Sequence, residues 1–179
     1  MPLRPASEKK ILDAADELFF TNGIAATPVD AVLARAGVSA ATMYRGYRSK
    51  EALVAAALTR RHHDWLATLD AIGKRLTDDG MVFRYKRDDG LPGKEGAFSA
   101  CSFWYVECLA RAGRMDEARM IFEKLLKYAN HLQLYAEEFD ERAKLIGNFP
   151  QGFTHLALVS AAFYIDREME GRGQRDWPA

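Results

Sequence analysis

Helix start and stop signals crowd together between residues 27 and 50, and they constrain the fold more than any other feature. The segment reads TPVDAVLARAGVSAATMYRGYRSK. Thr27 can cap one helix, and Gly37 favours the left-handed conformation that ends it. Ser39 can cap the next helix only two residues later. The spacing predicts two short helices around a tight turn, over 28–36 and 40–47.

Longer helical patterns flank this pair. Apolar residues recur at helical spacing over 7–22, and Gly23 follows as a stop signal. Ser49 can cap a fourth helix that begins at Lys50. The apolar periodicity of this helix weakens at the polar residues 60–63. The order of helix, short helix, tight turn, short helix and long helix predicts a helix-turn-helix unit with a supporting first helix.

The rest of the chain is also predicted to be helical. Gly and charged residues dominate 78–96, which indicates an irregular loop or hairpin. Apolar periodicity then predicts three further helices, over 97–112, 116–130 and 151–168. We therefore expect an all-α protein, with a three-helix head plus a long fourth helix, followed by a helical C-terminal region. The expected domains are 1–60 and 78–179, joined by a connecting helix or junction over 61–77.

Charge points to nucleic acid only locally. The 25 basic and 25 acidic residues cancel, so the net charge does not indicate a polyanionic partner. Residues 35–50, however, hold four cations and no carboxylate. The hydroxyls of Thr42 and Tyr44 could reach phosphate or base edges, and Arg45 could read guanine. Lys50 at a helix N-terminus combines its charge with free backbone N–H groups, and both favour phosphate.

Other classes of protein find little support. No segment approaches the ~20 apolar residues of a membrane span, and the N-terminus lacks an apolar signal core. We therefore expect a cytoplasmic protein without membrane partners. His62, His63 and His131 lack metal-site spacing, and GLPGKEG at 90–96 lacks the Lys-Ser/Thr of a phosphate loop. No metal or cofactor is expected.

Residues 8–58 resemble the DNA-binding domain of the TetR family of transcriptional regulators. The resemblance rests on ILDAADELFFTNGIAATPVD and on AGVSAATMYRGYRSKEALV, which is close to that family's AGVSxxTxYxxFxSKxxL signature. It implies double-stranded DNA as the partner and a homodimer as the binding species. The DNA-contacting positions of the family fall on five residues here: Thr27, Ser39, Thr42, Tyr44 and Lys50.

Combining the resemblance with the local charge gives a predicted interface. Bases are assigned to Thr42, Tyr44 and Arg45, and phosphates to Thr27, Ser39, Arg48 and Lys50. Tyr47 falls where the family packs an aromatic side chain under the recognition helix. Gly46 is a departure, because many members have a side chain there, often His. Loss of that side chain predicts weaker affinity or specificity.

A second resemblance covers about residues 68–166. The matching stretches are LTDDGMVFRYKRDDGLPGKEGAFSACSFWYVECLARAGRMDEARMIFEKLLKYANHL, LYAEEFD and GNFPQGFTHLALVSAAF. They resemble the C-terminal part of glycoside hydrolase family 15, the glucoamylase and trehalase group. The resemblance implies part of an (α/α)6 barrel and places a vestigial general base on Glu137.

Catalysis is nevertheless not expected. Glycoside hydrolysis needs two carboxyl groups on either side of the bond, and the adjacent Glu137 and Glu138 cannot bracket a sugar. The family's general acid lies earlier in the barrel, in a stretch whose place the DNA-binding head takes. Three hypotheses follow: a DNA-binding regulator with a small-molecule effector such as a carbohydrate, a hydrolase fragment that retains sugar binding, or a fused product with a marginal helical appendage.

Overall fold

The computed structural model describes residues 3–87, 96–140 and 142–171, and it is mainly helical. The chain divides into two compact units, Met1–Trp65 and Leu66–Ala179. The division falls inside the segment 61–77 that was predicted to connect two domains. Residues 88–95 of the loop or hairpin predicted over 78–96, and the tail beyond residue 171, lie outside the described residues.

Four helices build the head. Helix α1 spans Pro5–Asn22, α2 Val29–Ala36, α3 Ala40–Gly46 and α4 Lys50–Leu76. The last of these continues past the Trp65 boundary, through the 60–63 stretch where its apolar pattern loosens. Buried apolar side chains from all four helices form one core: Ile11, Leu12, Ala14, Ala15, Val32, Leu33, Met43, Tyr47, Leu53 and Ala57.

The predicted caps of the head are confirmed at three positions. Gly37 ends α2 in the left-handed conformation, with φ of 65°. The Ser39 hydroxyl accepts a hydrogen bond from the backbone N–H of Thr42 at 3.2 Å, at the start of α3. The Ser49 hydroxyl accepts from the N–H of Ala52 at 3.2 Å, at the start of α4. These local bonds fix the two helix starts and the turn between α2 and α3.

The second unit contains three helices and small strands. Helices α5, α6 and α7 span Ser99–Arg111, Met115–Leu126 and Gly152–Met169, and α5 packs against both others. Strands β1 (Thr77–Asp78) and β2 (Met81–Val82) form a hairpin. The three-stranded antiparallel sheet has the order β3 (Ala97–Phe98), β4 (Glu138–Phe139), β5 (Leu145–Ile146).

Helix α6 ends earlier than the sequence predicts. Its last residue is Leu126, whereas the apolar stripe had suggested a helix to residue 130. The Asn130 side-chain oxygen accepts hydrogen bonds from the N–H groups of Leu132 and Leu134, at 2.9 and 3.0 Å. An asparagine that binds the backbone in this way offers it an alternative to the helix.

Candidate nucleic-acid interface

Helix α3 presents one buried and several exposed side chains, as a recognition helix requires. Met43 is fully buried in the core of the head, so it packs α3 against that core. Tyr44 is 50% exposed, and Arg45 is exposed beside it. Among the described residues neither Arg45 nor Arg48 has a hydrogen-bond or ion-pair partner. Both guanidinium groups are therefore free to take an external anion.

The hydroxyls of Ser39 and Thr42 lie 2.9 Å apart at the start of α3. Each hydroxyl carries one proton, and their mutual bond uses only one of the two. The pair therefore keeps one proton to donate to an external acceptor, in addition to the cap that Ser39 provides.

Lys50 opens helix α4 and is partly buried. Its ammonium group donates to the carbonyl of Ala25 at 3.5 Å, a long and therefore weak hydrogen bond. Glu51 follows it, and a hydrogen bond with Ser49 lowers the pKa of this carboxyl group. The N-terminus of α4 thus offers one cation beside a carboxylate that remains charged at neutral pH.

Thr27 does not occupy the predicted position. Its side chain is 1% exposed, and its hydroxyl is within bonding distance of the carbonyls of Gly23 (2.8 Å) and Leu18 (3.2 Å). Helix α2 begins at Val29, and no side chain caps it. The predictions that Thr27 caps α2 and reaches a phosphate are corrected, because its hydroxyl is used inside the head.

Arg35 also differs from the other cations of the 35–50 stretch. Its guanidinium group lies 2.7 Å from the carboxylate of Glu17 on α1. Arg45, Arg48 and Lys50, the other three cations of that stretch, have no ion-pair partner within the described ranges. Sequence reasoning missed Arg4, an exposed cation that directly precedes α1 and has no partner among the described residues. The signal available for Arg4 was the unusual glycine at position 46.

The hydrolase-like carboxylates of the second unit have separate partners. Glu137 Oε2 accepts from Asn148, from the N–H at 3.2 Å and the side-chain amide at 3.0 Å. Glu138 pairs with Arg84 at 3.5 Å and accepts from the N–H of Gly96. His155 has a structural role, since its Nδ1 hydrogen-bonds with the Gln151 carbonyl oxygen at 2.7 Å.

Two negative findings concern the described residues alone. No group of three or more His, Cys, Asp or Glu side chains is arranged there to hold a metal ion. Within the same ranges, no helix combines the length and the apolar run that a bilayer crossing requires.

Comparison with known proteins finds separate similarities for the two parts of the chain. Residues 11–57 match the family model described as bacterial regulatory proteins, tetR family. Trehalases from Mycolicibacterium smegmatis and Mycobacterium tuberculosis are both 48% identical to this chain, over 108 and 107 residues, or 58% of it. The chain spans only 16% of the length of each of these relatives.

A solved structure of a TetR-like transcriptional regulator from Rhodococcus sp. RHA1 aligns with 94% of this chain and 87% of its own, with 21% identity and a TM-score of 0.41. By sequence, the head matches the tetR family of bacterial regulatory proteins over residues 11–57, and the C-terminal unit is similar to part of the trehalases.

Proposed function

We propose that this protein is a dimeric transcriptional regulator that binds double-stranded DNA through α3. The observation that carries the proposal is the exposed side of α3, a helix held in place by Met43 and Ser39. Tyr44 and Arg45 on this helix, and Arg48 in the turn after it, have no hydrogen-bond or ion-pair partner among the described residues. Unpaired guanidinium groups beside a short capped helix suit major-groove DNA, in which Arg pairs with guanine and phosphates take the remaining cations.

Each side chain has a proposed role. Tyr44, Arg45 and Thr42 contact base edges. Arg48 and Lys50 contact phosphates, and the remaining hydroxyl proton of the Ser39–Thr42 pair donates to one of these acceptors. This division separates sequence readout from positioning, because base contacts specify and phosphate contacts orient.

A homodimer is supported by the exposed side of α7. We define the α7 apolar face as Phe153, Leu156, Val159 and Phe163, which are 57–70% exposed. At 3.6 residues per turn these four side chains lie within about 120° of the helix circumference. They form a contiguous exposed apolar patch, and such patches mark protein–protein contacts. Two-fold pairing of this face would match a palindromic DNA site.

The proposed effector site is a cavity of 370 Å³ in the second unit. Its charged lining balances: Asp70, Lys74, Asp79, Arg114, Glu117 and Lys124. Arg114 pairs with Asp70 and Glu117 at 2.7 Å each, and Lys124 pairs with Asp79. A lining with three cations, three carboxylates and no net charge offers both donors and acceptors, which suits a neutral polyhydroxylated ligand such as a sugar.

The DNA proposal predicts a steep salt dependence. Affinity for duplex DNA is measured by fluorescence anisotropy between 50 and 200 mM KCl, and the logarithm of the affinity is expected to fall linearly with the logarithm of the salt concentration. Arg48→Ala is expected to reduce this slope by about 0.9 per bound protomer, because one phosphate contact is lost. Arg45→Ala is expected to cost about 1–3 kcal/mol of discrimination on a selected site. Lys127→Ala, an exposed cation of the second unit, is the control. An affinity independent of salt rules the proposal out.

A hydrolase-like fragment that binds a sugar with little or no catalysis is the second candidate, favoured by the 48% identity to trehalases. We expect binding without hydrolysis, because Glu137 and Glu138 are neighbours in the chain. Trehalose titrated by calorimetry should bind to wild type and to Glu137→Gln, and bind at least tenfold more weakly to Lys74→Ala, which removes a cavity cation. Glucose release that disappears in Glu137→Gln would establish the hydrolase instead, and binding lost only in Glu137→Gln would move the ligand to that carboxylate.

A further inference from the structure

The first described residues of the chain pack against the C-terminal end of α3. Leu3 is partly buried against the core of the head. A Cβ atom built on Gly46 would lie 2.9 Å from Leu3 Cδ2 and 3.3 Å from Leu3 Cβ. The backbone does not demand glycine here, because Gly46 is absent from the described residues with positive φ. The space that glycine leaves is therefore used by Leu3.

A second contact fixes the same two segments. The hydroxyl of Tyr47, which directly follows Gly46, donates to Glu8 Oε1 at 3.3 Å. Burial of the ring and the neighbouring Glu8 raise the pKa of Tyr47 to about 12, so the hydroxyl stays a donor at neutral pH. Consecutive residues at the end of α3 thus contact residues 3 and 8 of the chain.

Arg4 lies between these two contacts. Its carbonyl accepts hydrogen bonds from the N–H groups of Ser7 and Glu8, at 2.9 and 3.0 Å, which holds its backbone against the first turn of α1. Its Cα lies about 3.8 Å from that of Leu3, whose side chain contacts Gly46. The guanidinium group is exposed and has no partner within the described ranges. The backbone of Arg4 therefore lies between two residues that contact the end of α3, and its side chain adds an exposed cation there.

We propose that Arg4 is a further phosphate-contacting residue of the DNA interface, and that Gly46 is the positioning residue that seats the N-terminal segment beside the recognition helix. The inference rests on the proposed function. A phosphate that flanks the bases read by α3 is the ligand, since an unpaired guanidinium recognises that anion by bidentate hydrogen bonding. The sequence suggested that Gly46 would weaken binding, because it lacks a side chain that could contact DNA. In this proposal the phosphate contact of Arg4 replaces that missing contact.

The test measures the salt slope of duplex binding for four single variants in the full chain. Arg4→Ala is expected to lower the slope by about 0.9 per bound protomer, with a five- to tenfold loss of affinity near 0.1 M KCl as an order of magnitude. Arg4→Lys should keep the slope, because the charge remains. Gly46→Ala should reproduce the Arg4→Ala slope by displacing Leu3, although alanine favours a helix by about 1 kcal/mol over glycine. Lys127→Ala controls for the change of net charge.

The double variant Arg4→Ala with Gly46→Ala should lose no more than Arg4→Ala alone, since both remove the same contact. If the wild-type protein binds DNA and Arg4→Ala has the same salt slope as the wild type, the inference is overturned and the proposed function stays intact. A lowered slope in Arg4→Ala but not in Gly46→Ala overturns the role of Gly46. If neither the wild type nor any variant shows salt-dependent binding, both the phosphate contact of Arg4 and the proposed function are overturned.

Discussion

Replacing Leu156 with glutamate is expected to convert the protein from dimer to monomer. Leu156 lies near the centre of the α7 apolar face and is 68% exposed in the isolated chain, so the substitution does not disturb the packing of the unit itself. In a two-fold dimer both copies of the new carboxylate would be buried without a partner, which costs several kcal/mol. Each 1.4 kcal/mol is tenfold in the dissociation constant, so we expect it to rise by about a hundredfold or more.

Light scattering coupled to size exclusion measures this shift, and duplex binding by the same samples should weaken in parallel. Met120→Glu is the matched control, because Met120 is 65% exposed on α6 and lies outside the α7 apolar face. A dimer that survives Leu156→Glu would place the interface elsewhere. A wild-type protein that runs as a monomer would remove the dimer from the proposal.

Replacing Phe103 with alanine is expected to destabilise the second unit by about 3–5 kcal/mol. Phe103 is 0% exposed, and its ring meets those of Phe122 and Tyr135 edge-on, at centroid distances of 6.0 and 5.4 Å. The loss combines the removed apolar contact with the cavity that remains, because a packed core relaxes only in part. The free energy of unfolding, from urea denaturation followed by circular dichroism, tests this.

The expected result is an earlier transition for the second unit while the transition of the head keeps its midpoint. Phe20→Ala is the control, since Phe20 is 79% exposed on α1 and contributes little to any core. A loss below about 1 kcal/mol in Phe103→Ala would mean that the C-terminal unit lacks a cooperative core. That outcome would favour the hypothesis of a marginal appendage.

The helix boundaries of the head could be predicted because their causes are local. Gly37 ends α2, and Ser39 begins α3 through a bond to a residue three positions away. Strands β3, β4 and β5 could not be predicted, because strands of two residues have no periodicity to detect. They exist only because the chain returns after α6 and pairs Ala97 with Phe139.

The interface was predicted less completely than the helices that carry it. Arg45 and Arg48 were assigned as contacts and are exposed without partners in the described chain. Thr27 and Arg35 share the same stretch of sequence, yet one is buried and the other is paired with Glu17. Arg4 was overlooked, because the signal for it, the glycine against which Leu3 packs, lies far from it in the sequence.

The sequence by itself determined where the helices of the head start and stop, and it concentrated positive charge around one of them. Tertiary structure decided which of those polar groups remain available to a ligand. The physical reason is that caps and turns depend on neighbours within four residues, whereas the partner of a hydroxyl or a guanidinium can come from any helix that packs beside it. Glu17 reaches Arg35 from eighteen residues away, and no local pattern records that contact.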